Sequence, residues 1–123
     1  MQTQKQTLGQ LGEKLAEKYL TKKGHQIIDR NYRQKWGEID LIAKKEKKYF
    51  FVEVKTLAVD FDQEENSLLP EDHLTKSKIK KLCRIILGYV NHYKIENWQL
   101  DLIAIEIDKT KKKYRLRHLK QIA

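Results

Sequence analysis

The segment GEIDLIAKKEKKYFFVEVK, residues 37–55, decides the fold predicted for this chain. Each half is a short stretch rich in Ile, Leu, Val, Phe and Tyr, which is typical of β-strands. Residues 38–44 and 49–55 are therefore predicted strands, and the lysine-rich stretch between them is a predicted turn. Strands joined by so short a connection pair in antiparallel fashion, so the segment predicts a β-hairpin.

The apolar residues of this hairpin specify its register. Successive side chains of a strand point to opposite faces. The first strand therefore has two predicted faces, one with Ile39, Leu41 and Ala43 and the other with Glu38, Asp40 and Ile42. Alignment of the apolar faces predicts the cross-strand pairs Ala43–Phe50, Leu41–Val52 and Ile39–Val54. A slip by one residue would expose the apolar set, so the register is strongly specified.

The same register places Asp40 opposite Glu53, and Glu38 opposite Lys55. Like charges directly opposite each other destabilise a sheet, whereas Mg²⁺ is typically held by one or two carboxylates together with substrate phosphate. Lys55 lies two residues beyond Glu53 on the same face, where it could orient an attacking water or stabilise negative charge at phosphorus. The pattern predicts a metal-dependent phosphodiesterase site. The structural alternative is a charge ladder, and a cross-strand ion pair accounts for Glu38 and Lys55 equally well.

The remaining elements complete a predicted α/β domain. Apolar residues at helical spacing from Leu8 to Leu20 predict a first helix that ends at Gly24, after a loose N-terminus at residues 1–7. A strand at 26–33 precedes the hairpin, and the acidic stretch 58–72 is a predicted loop. A second helix is predicted at 74–93, with an inner stripe of Ile79, Leu82, Ile86 and Val90. Strands at 98–107 and 114–119 follow, which gives the order α-β-β-β-α-β-β in a single domain, residues 8–123.

Charge is distributed unevenly along the chain. The formal net charge is +9, yet residues 58–72 contain six acidic and no basic residues. Basic residues cluster on the second helix at Lys76, Lys78, Lys80, Lys81 and Arg84, and again from 109 to 120. Such clusters are typical of surfaces that bind phosphate backbones, although a solvated lysine-rich surface has the same composition.

Several classes of protein do not fit the sequence. No apolar run is long enough to span a bilayer, no secretory signal is recognisable, and the single cysteine, Cys83, has no partner within the chain. A cytoplasmic protein without a membrane partner is therefore expected. The four histidines lack metal-ligand spacing, which argues against zinc. The five glycines form no phosphate-binding loop, which argues against a nucleotide-binding enzyme.

Gly37-Glu38-Ile39-Asp40-Leu41-Ile42 followed by Phe51-Val52-Glu53-Val54-Lys55 resembles the core of the PD-(D/E)XK nuclease superfamily. The resemblance narrows to the YraN-like family, which is related to archaeal Holliday-junction resolvases, because of the chain length and the residues Gly12-Glu13 and Asn31-Tyr32-Arg33. It implies a restriction-endonuclease-like α-β-β-β-α-β core with a mixed central sheet flanked by helices. It also implies that Asp40, Glu53 and the Val54 carbonyl are metal ligands, that Lys55 is catalytic and that Glu13 contributes from the first helix. Leu57 departs from the arginine that the family often has there.

The function expected from the sequence is a Mg²⁺- or Mn²⁺-dependent endonuclease that cuts DNA. The resemblance, rather than any residue, favours branched or flapped DNA. A nucleic-acid-binding module with a vestigial site and a ribonuclease are the alternatives. No base-reading motif is recognisable, so sequence specificity is expected to be low. The sequence leaves the oligomeric state open, with a homodimer as one arrangement.

Overall fold

The predicted hairpin lies in the middle of a five-stranded mixed sheet in a computed structural model, which describes residues 2–63 and 69–123. The elements in chain order are α1 (Gln4–Lys22), β1 (Gln26–Gln34), β2 (Gly37–Lys45), β3 (Lys48–Ala58), a 3₁₀ turn (Pro70–His73), α2 (Lys76–Tyr93), β4 (Trp98–Asp108) and β5 (Lys113–Leu119). The strand order is β1-β2-β3-β4-β5. Only β3 and β4 are parallel, and α2 forms the crossover between them. The predicted α/β class and element order are confirmed.

The two helices cover opposite faces of the sheet. Phe51 of β3 packs with Ile39, Ile42 and the α2 residues Leu82, Ile85, Ile86, Tyr89 and Val90. Its neighbour Val52 packs with Ala16 and Leu20 of α1 on the other face. Strand β4 is buried from Gln99 to Asp108 because it lies inside the sheet with a core on each side. Neither helix is long and apolar enough to cross a membrane within the described residues.

Helix α1 begins earlier than its apolar spacing predicted. Thr3 caps it, since its hydroxyl accepts a hydrogen bond from the Gln6 backbone N–H at 3.1 Å while the Gln6 side chain accepts one from the Thr3 N–H at 3.0 Å. This reciprocal pair is a capping box, which satisfies two backbone donors at a helix start. The prediction of a loose segment through residue 7 is therefore wrong from Gln4 onward. Part of the predicted acidic loop, residues 64–68, lies outside the described residues.

The alternation of faces assumed for β2 breaks at Asp40. Ile39 packs in the α2 core, whereas Leu41 packs in the α1 core. On the neighbouring strand, Asn31 adopts a left-handed conformation with φ 52°, and this residue lies between the pairs Arg30–Leu41 and Tyr32–Ile39. The predicted common face of Ile39 and Leu41 is therefore wrong, because both strands change phase at this point.

Candidate active site

The candidate site lies where β2 and β3 separate. Their ladder runs from Lys45–Lys48 to Leu41–Val52 and includes the predicted pair Ala43–Phe50. Beyond Leu41, β2 continues to pair with β1, and β3 continues to pair with β4. The predicted register is confirmed as far as Leu41–Val52, but the predicted Ile39–Val54 pair does not form. The two strands fork, and Asp40 and Glu53 are the first residues beyond the last pair.

Asp40 spans the opening of this fork with its side chain. Its Oδ2 accepts a hydrogen bond from the backbone N–H of Val54 at 2.8 Å. A side chain thus takes the place of the backbone carbonyl that would continue the ladder. In an extended strand the N–H and C=O of one residue point to the same side, so the Val54 carbonyl faces the same opening. Asp40 and Glu53, which the register predicted to meet, thus lie together at the fork, and the Val54 carbonyl, which the resemblance implied as a ligand, faces the same opening.

Glu53 is the most electrostatically perturbed group of the site. Its side chain is only 13% exposed. Burial raises its pKa to about 9, and its hydrogen bond to Asp40 and the charge of Asp40 act in the same direction. The fork therefore disfavours the ionised form of Glu53 when no cation is bound. Two carboxylates held together at this cost suit a site whose charge is balanced by a bound cation.

Lys55 joins this pair from the same strand. Its Nζ lies 3.7 Å from Glu53 Oε2, and its side chain is 28% exposed. The predicted ion pair between Glu38 and Lys55 is wrong. Glu38 instead binds Arg33, its register partner on β1, with 3.3 Å between Arg33 Nη2 and Glu38 Oε2. The fork is the cause, since it takes Glu38 away from β3 and leaves Lys55 facing the carboxylates.

Glu13 approaches the site from α1. The charges of Asp40 and Glu38 add to the effect of burial, and together they raise the Glu13 pKa to about 7. The neighbouring Gly12 is buried and lies directly against the Thr56 side chain of β3, where any Cβ would collide. This close approach brings α1 against the end of β3. Glu13 is thus within electrostatic reach of Asp40.

The groups that the fork offers to a cation are the carboxylates of Asp40 and Glu53 and the Val54 carbonyl. Across residues 2–63 and 69–123, no group of three or more His, Cys, Asp or Glu side chains is arranged to hold a metal ion. The set nevertheless fits Mg²⁺, which commonly takes one or two carboxylates and completes its shell with waters and substrate phosphate. An open shell of this kind leaves positions for a phosphodiester.

A cleft of about 510 Å³ contains the fork and extends between the two helices. Lys5 and Gly9 of α1 line one side, and Lys78 and Lys81 of α2 line the other. Asp40, Glu53, Val54 and Lys55 lie among its walls, so three lysines and Lys55 surround the acidic pair. Lys5 was missed by the sequence prediction. The capping box formed by Thr3 and Gln6 was the available signal, because it extends the helix far enough to place Lys5, Gly9 and Glu13 on one face.

The predicted nucleic-acid-binding residues of α2 divide into groups. All five are exposed, namely Lys76, Lys78, Lys80, Lys81 and Arg84. Lys78 and Lys81 line the cleft, whereas Lys76 and Lys80 are not among its walls. Arg84 lies over the indole ring of Trp36, with its guanidinium carbon 4.5 Å from the ring centroid. The basic stretch from 109 to 120 is partly neutralised, since Lys111 pairs with Asp62 and Arg117 pairs with Glu71 and Glu106.

Asp101, a third strand carboxylate, has a structural explanation. It is fully buried and accepts hydrogen bonds from Gln99 Nε2 at 2.7 Å and from the Gln121 backbone N–H at 2.9 Å. Its Oδ2 also lies 2.7 Å from His118 Nε2, and the other ring nitrogen of His118 meets the Tyr19 hydroxyl at 3.0 Å. These bonds tie β4, β5 and α1 together, which is a structural role.

The fold and the site define an α/β protein with an acidic fork between basic helix surfaces. The sequence profile of the Uncharacterised protein family UPF0102 matches residues 12–105, a region that contains Glu13, the fork and α2. A UPF0102 protein of Campylobacter fetus is 39% identical over 101 residues, which cover 81% of this chain and 84% of the relative. A UPF0102 protein of Caldanaerobacter subterraneus is 35% identical over 119 residues, with 96% and 93% covered. The chain belongs to the UPF0102 family, whose description names no activity.

Proposed function

We propose that this protein is a metal-dependent endonuclease that hydrolyses DNA phosphodiester bonds with Mg²⁺ or Mn²⁺ as its cofactor. The observation that carries the proposal is the pair of carboxylates, Asp40 and Glu53, held together at a strand fork with Lys55 beside them. Like-charged groups in contact are unfavourable unless a proton or a cation joins them. A cation accounts for the arrangement, and the surrounding lysines account for the anionic partner.

The roles of the residues follow from their positions. Asp40, Glu53 and the Val54 carbonyl would hold the cation, which when bound supplies Lewis-acid stabilisation of the charge that develops on the phosphate. Lys55 would orient the attacking water or stabilise the developing negative charge. In the hydrolysis, the water oxygen forms a bond to phosphorus and gives up one proton while one bridging P–O bond breaks, and the departing sugar oxygen takes up a proton. Lys5, Lys78 and Lys81 would neutralise the flanking phosphates.

The resemblance to the PD-(D/E)XK superfamily supports the same assignment. The residues that carry it, Asp40, Glu53 and Lys55, are those that meet at the fork. The element order α-β-β-β-α-β of the first six major elements is the order that a restriction-endonuclease-like core requires. We accordingly propose this fold and a YraN-like nuclease identity, with branched or flapped DNA as the substrate.

A second candidate function is a nucleic-acid-binding module with a vestigial site. The small donor set favours it, because no group of three or more His, Cys, Asp or Glu side chains is arranged to hold a metal ion among the described residues, and burial disfavours an ionised Glu53 without a cation. A module of this kind would bind DNA through the same lysines without breaking a bond. A ribonuclease would use the same chemistry on a different substrate.

A cleavage panel separates these functions. The substrates are single-stranded, duplex, flap and four-way DNA together with RNA, each incubated with Mg²⁺ or Mn²⁺ and in parallel with EDTA. We expect metal-dependent cleavage of DNA, with the flap or four-way forms cut fastest. Tight binding without cleavage of any substrate would establish the module instead, and cleavage confined to RNA would establish the ribonuclease.

A further inference from the structure

Trp36 occupies a position that turn chemistry does not explain. Gln34 pairs with Gly37 across β1 and β2, so Lys35 and Trp36 form a two-residue hairpin loop. Neither residue has a positive φ, so the backbone of this loop demands neither Asn nor Gly and gives no reason for a tryptophan. A tryptophan there is 53% exposed. The loop therefore exposes a large aromatic ring that its own backbone conformation does not require.

Arg84 packs against the indole ring. Its guanidinium lies over the ring with 4.5 Å between the guanidinium carbon and the ring centroid, which is cation–π distance. The interaction joins the β1–β2 loop to α2 and places a positive charge beside an exposed aromatic face. Aromatic rings combined with arginine are the usual means by which proteins bind unpaired bases and their phosphates.

Further aromatic side chains continue the surface away from the fork. A groove of about 330 Å³ runs beside Trp36 and Arg84 and is lined by Tyr32, Gln34, His92 and Tyr93. Tyr93 is 58% exposed. Trp36 and Ile85 also line the cleft that contains Asp40 and Glu53, so the groove and the cleft share a wall. A DNA strand that leaves the fork in this direction would contact aromatic side chains and a guanidinium as well as lysines.

We propose that this groove, defined by Tyr32, Gln34, Trp36, Arg84, His92 and Tyr93, binds an unpaired segment of DNA next to the bond that is cut, with a base stacked on Trp36. The inference rests on the proposed function for the identity of the polymer and deepens it by naming the substrate class: DNA with a single-stranded segment beside the cleavage point. Stacking is indifferent to base identity, so the preference is for unpaired structure and not for sequence.

Tryptophan fluorescence tests the stacking without removing the ring. The chain has two tryptophans, Trp36 and Trp98, so Trp98→Phe leaves Trp36 as the only indole. Titration of this variant with a short oligothymidylate in EDTA should quench its emission saturably, because a stacked base quenches indole. The Trp36→Phe variant, which reports from Trp98 alone, should show little change. Unchanged emission from Trp36 at saturating oligonucleotide would overturn the proposal.

Affinity measurements then test whether unpaired bases are selected. Trp36→Ala should weaken binding of the single strand in EDTA by about fivefold or more, leave a blunt duplex of equal length unaffected, and be rescued by Trp36→Tyr. Tyr114→Ala is the control, since it removes another exposed aromatic side chain, 50% exposed on β5. It should change neither the affinity for the single strand nor that for the duplex. Equal weakening for single strand and duplex, or no weakening for either, would overturn the proposal.

These binding experiments fail independently of the nuclease assignment, since EDTA prevents metal-dependent cleavage. If a base stacks on Trp36 but the protein cuts no substrate, the nuclease assignment is wrong and the assignment of the groove stands. If Trp36→Ala cuts flap DNA with metal as fast as the wild type does at substrate concentrations below saturation, the nuclease assignment stands and the assignment of the groove is wrong.

Discussion

The carboxylate of Asp40 accepts a hydrogen bond from the backbone N–H of Val54 across the fork between β2 and β3, at 2.8 Å. This bond does what the next rung of the ladder would have done, and it satisfies a strand donor that would otherwise lack a partner. It also fixes the carboxylate beside Glu53 on the strand opposite. The same hydrogen bond thus marks the point where β2 and β3 separate and holds the two acidic side chains close together.

The stability of the metal-free protein should fall as pH rises. The folded state raises the pKa of Glu53 to about 9 from 4.5, so between these values the folded protein binds more protons than the unfolded chain. The stabilisation from this group is complete below about pH 4.5 and is lost as pH rises through about 9, with a slope of up to about 1.4 kcal/mol per pH unit. Urea unfolding in EDTA across this range measures it. Glu53→Gln should flatten the curve, and an equally steep curve in that variant would contradict the assignment.

Lys55→Ala should abolish turnover while metal binding persists, because the ammonium acts on water or phosphate and does not ligate the cation. Cleavage assays and calorimetric titration with Mn²⁺ provide the two readouts. A decrease in Mn²⁺ affinity as large as that of Asp40→Asn would show that the role is misassigned. Glu13→Gln, which alters a more distant carboxyl, should have the smaller effect on turnover. Complete inactivity of that variant would place Glu13 among the groups that touch the reacting atoms.

The lysines of α2 should differ in their effect on DNA binding. Lys78 and Lys81 line the cleft, whereas Lys76 and Lys80 do not. Lys78→Ala/Lys81→Ala should reduce the slope of log affinity against log salt by about 0.7–0.9 for each phosphate that is no longer neutralised. Lys76→Ala/Lys80→Ala, with the same change of charge, should reduce that slope less. Affinity across a salt series in EDTA measures both. If the slope is unchanged in the first variant, the surface that binds DNA is instead the basic stretch at 109–120.

Gly12→Ala should destabilise the protein by about 1–3 kcal/mol, because its methyl group would collide with Thr56, a β-branched residue with little rotamer freedom. Gly9→Ala is the matched control. Nothing lies within 4 Å of a Cβ at Gly9, so there the gain in helix propensity should stabilise by about 0.5–1 kcal/mol. Thermal unfolding compares the two. Equal effects of the same sign would mean that α1 does not pack on β3 through Gly12.

The sequence predicted which residues meet at the fork better than it predicted the faces of the strands around it. Leu41 and Val52 lie opposite each other because an apolar face specifies register strongly. The positions of Ile39 and Glu38 were missed because strict alternation assumes a continuous ladder, and the fork interrupts the one between β2 and β3. The interaction of Arg84 with Trp36 joins residues far apart in the chain. Local periodicity carries no information about a pairing of that kind.

Metal-dependent cleavage by the wild type and by Asp40→Asn and Glu53→Gln tests the central claim most directly. Flap and four-way DNA are incubated with Mg²⁺, and unfolding in EDTA confirms that each variant is folded. We expect the wild type to cut and EDTA to stop it. Each variant should be slower by at least about a hundredfold, with metal-free stability equal to or above that of the wild type because folding no longer brings two acidic groups together in a buried site. Wild-type rates in either variant would contradict the claim that these two carboxylates form the catalytic centre.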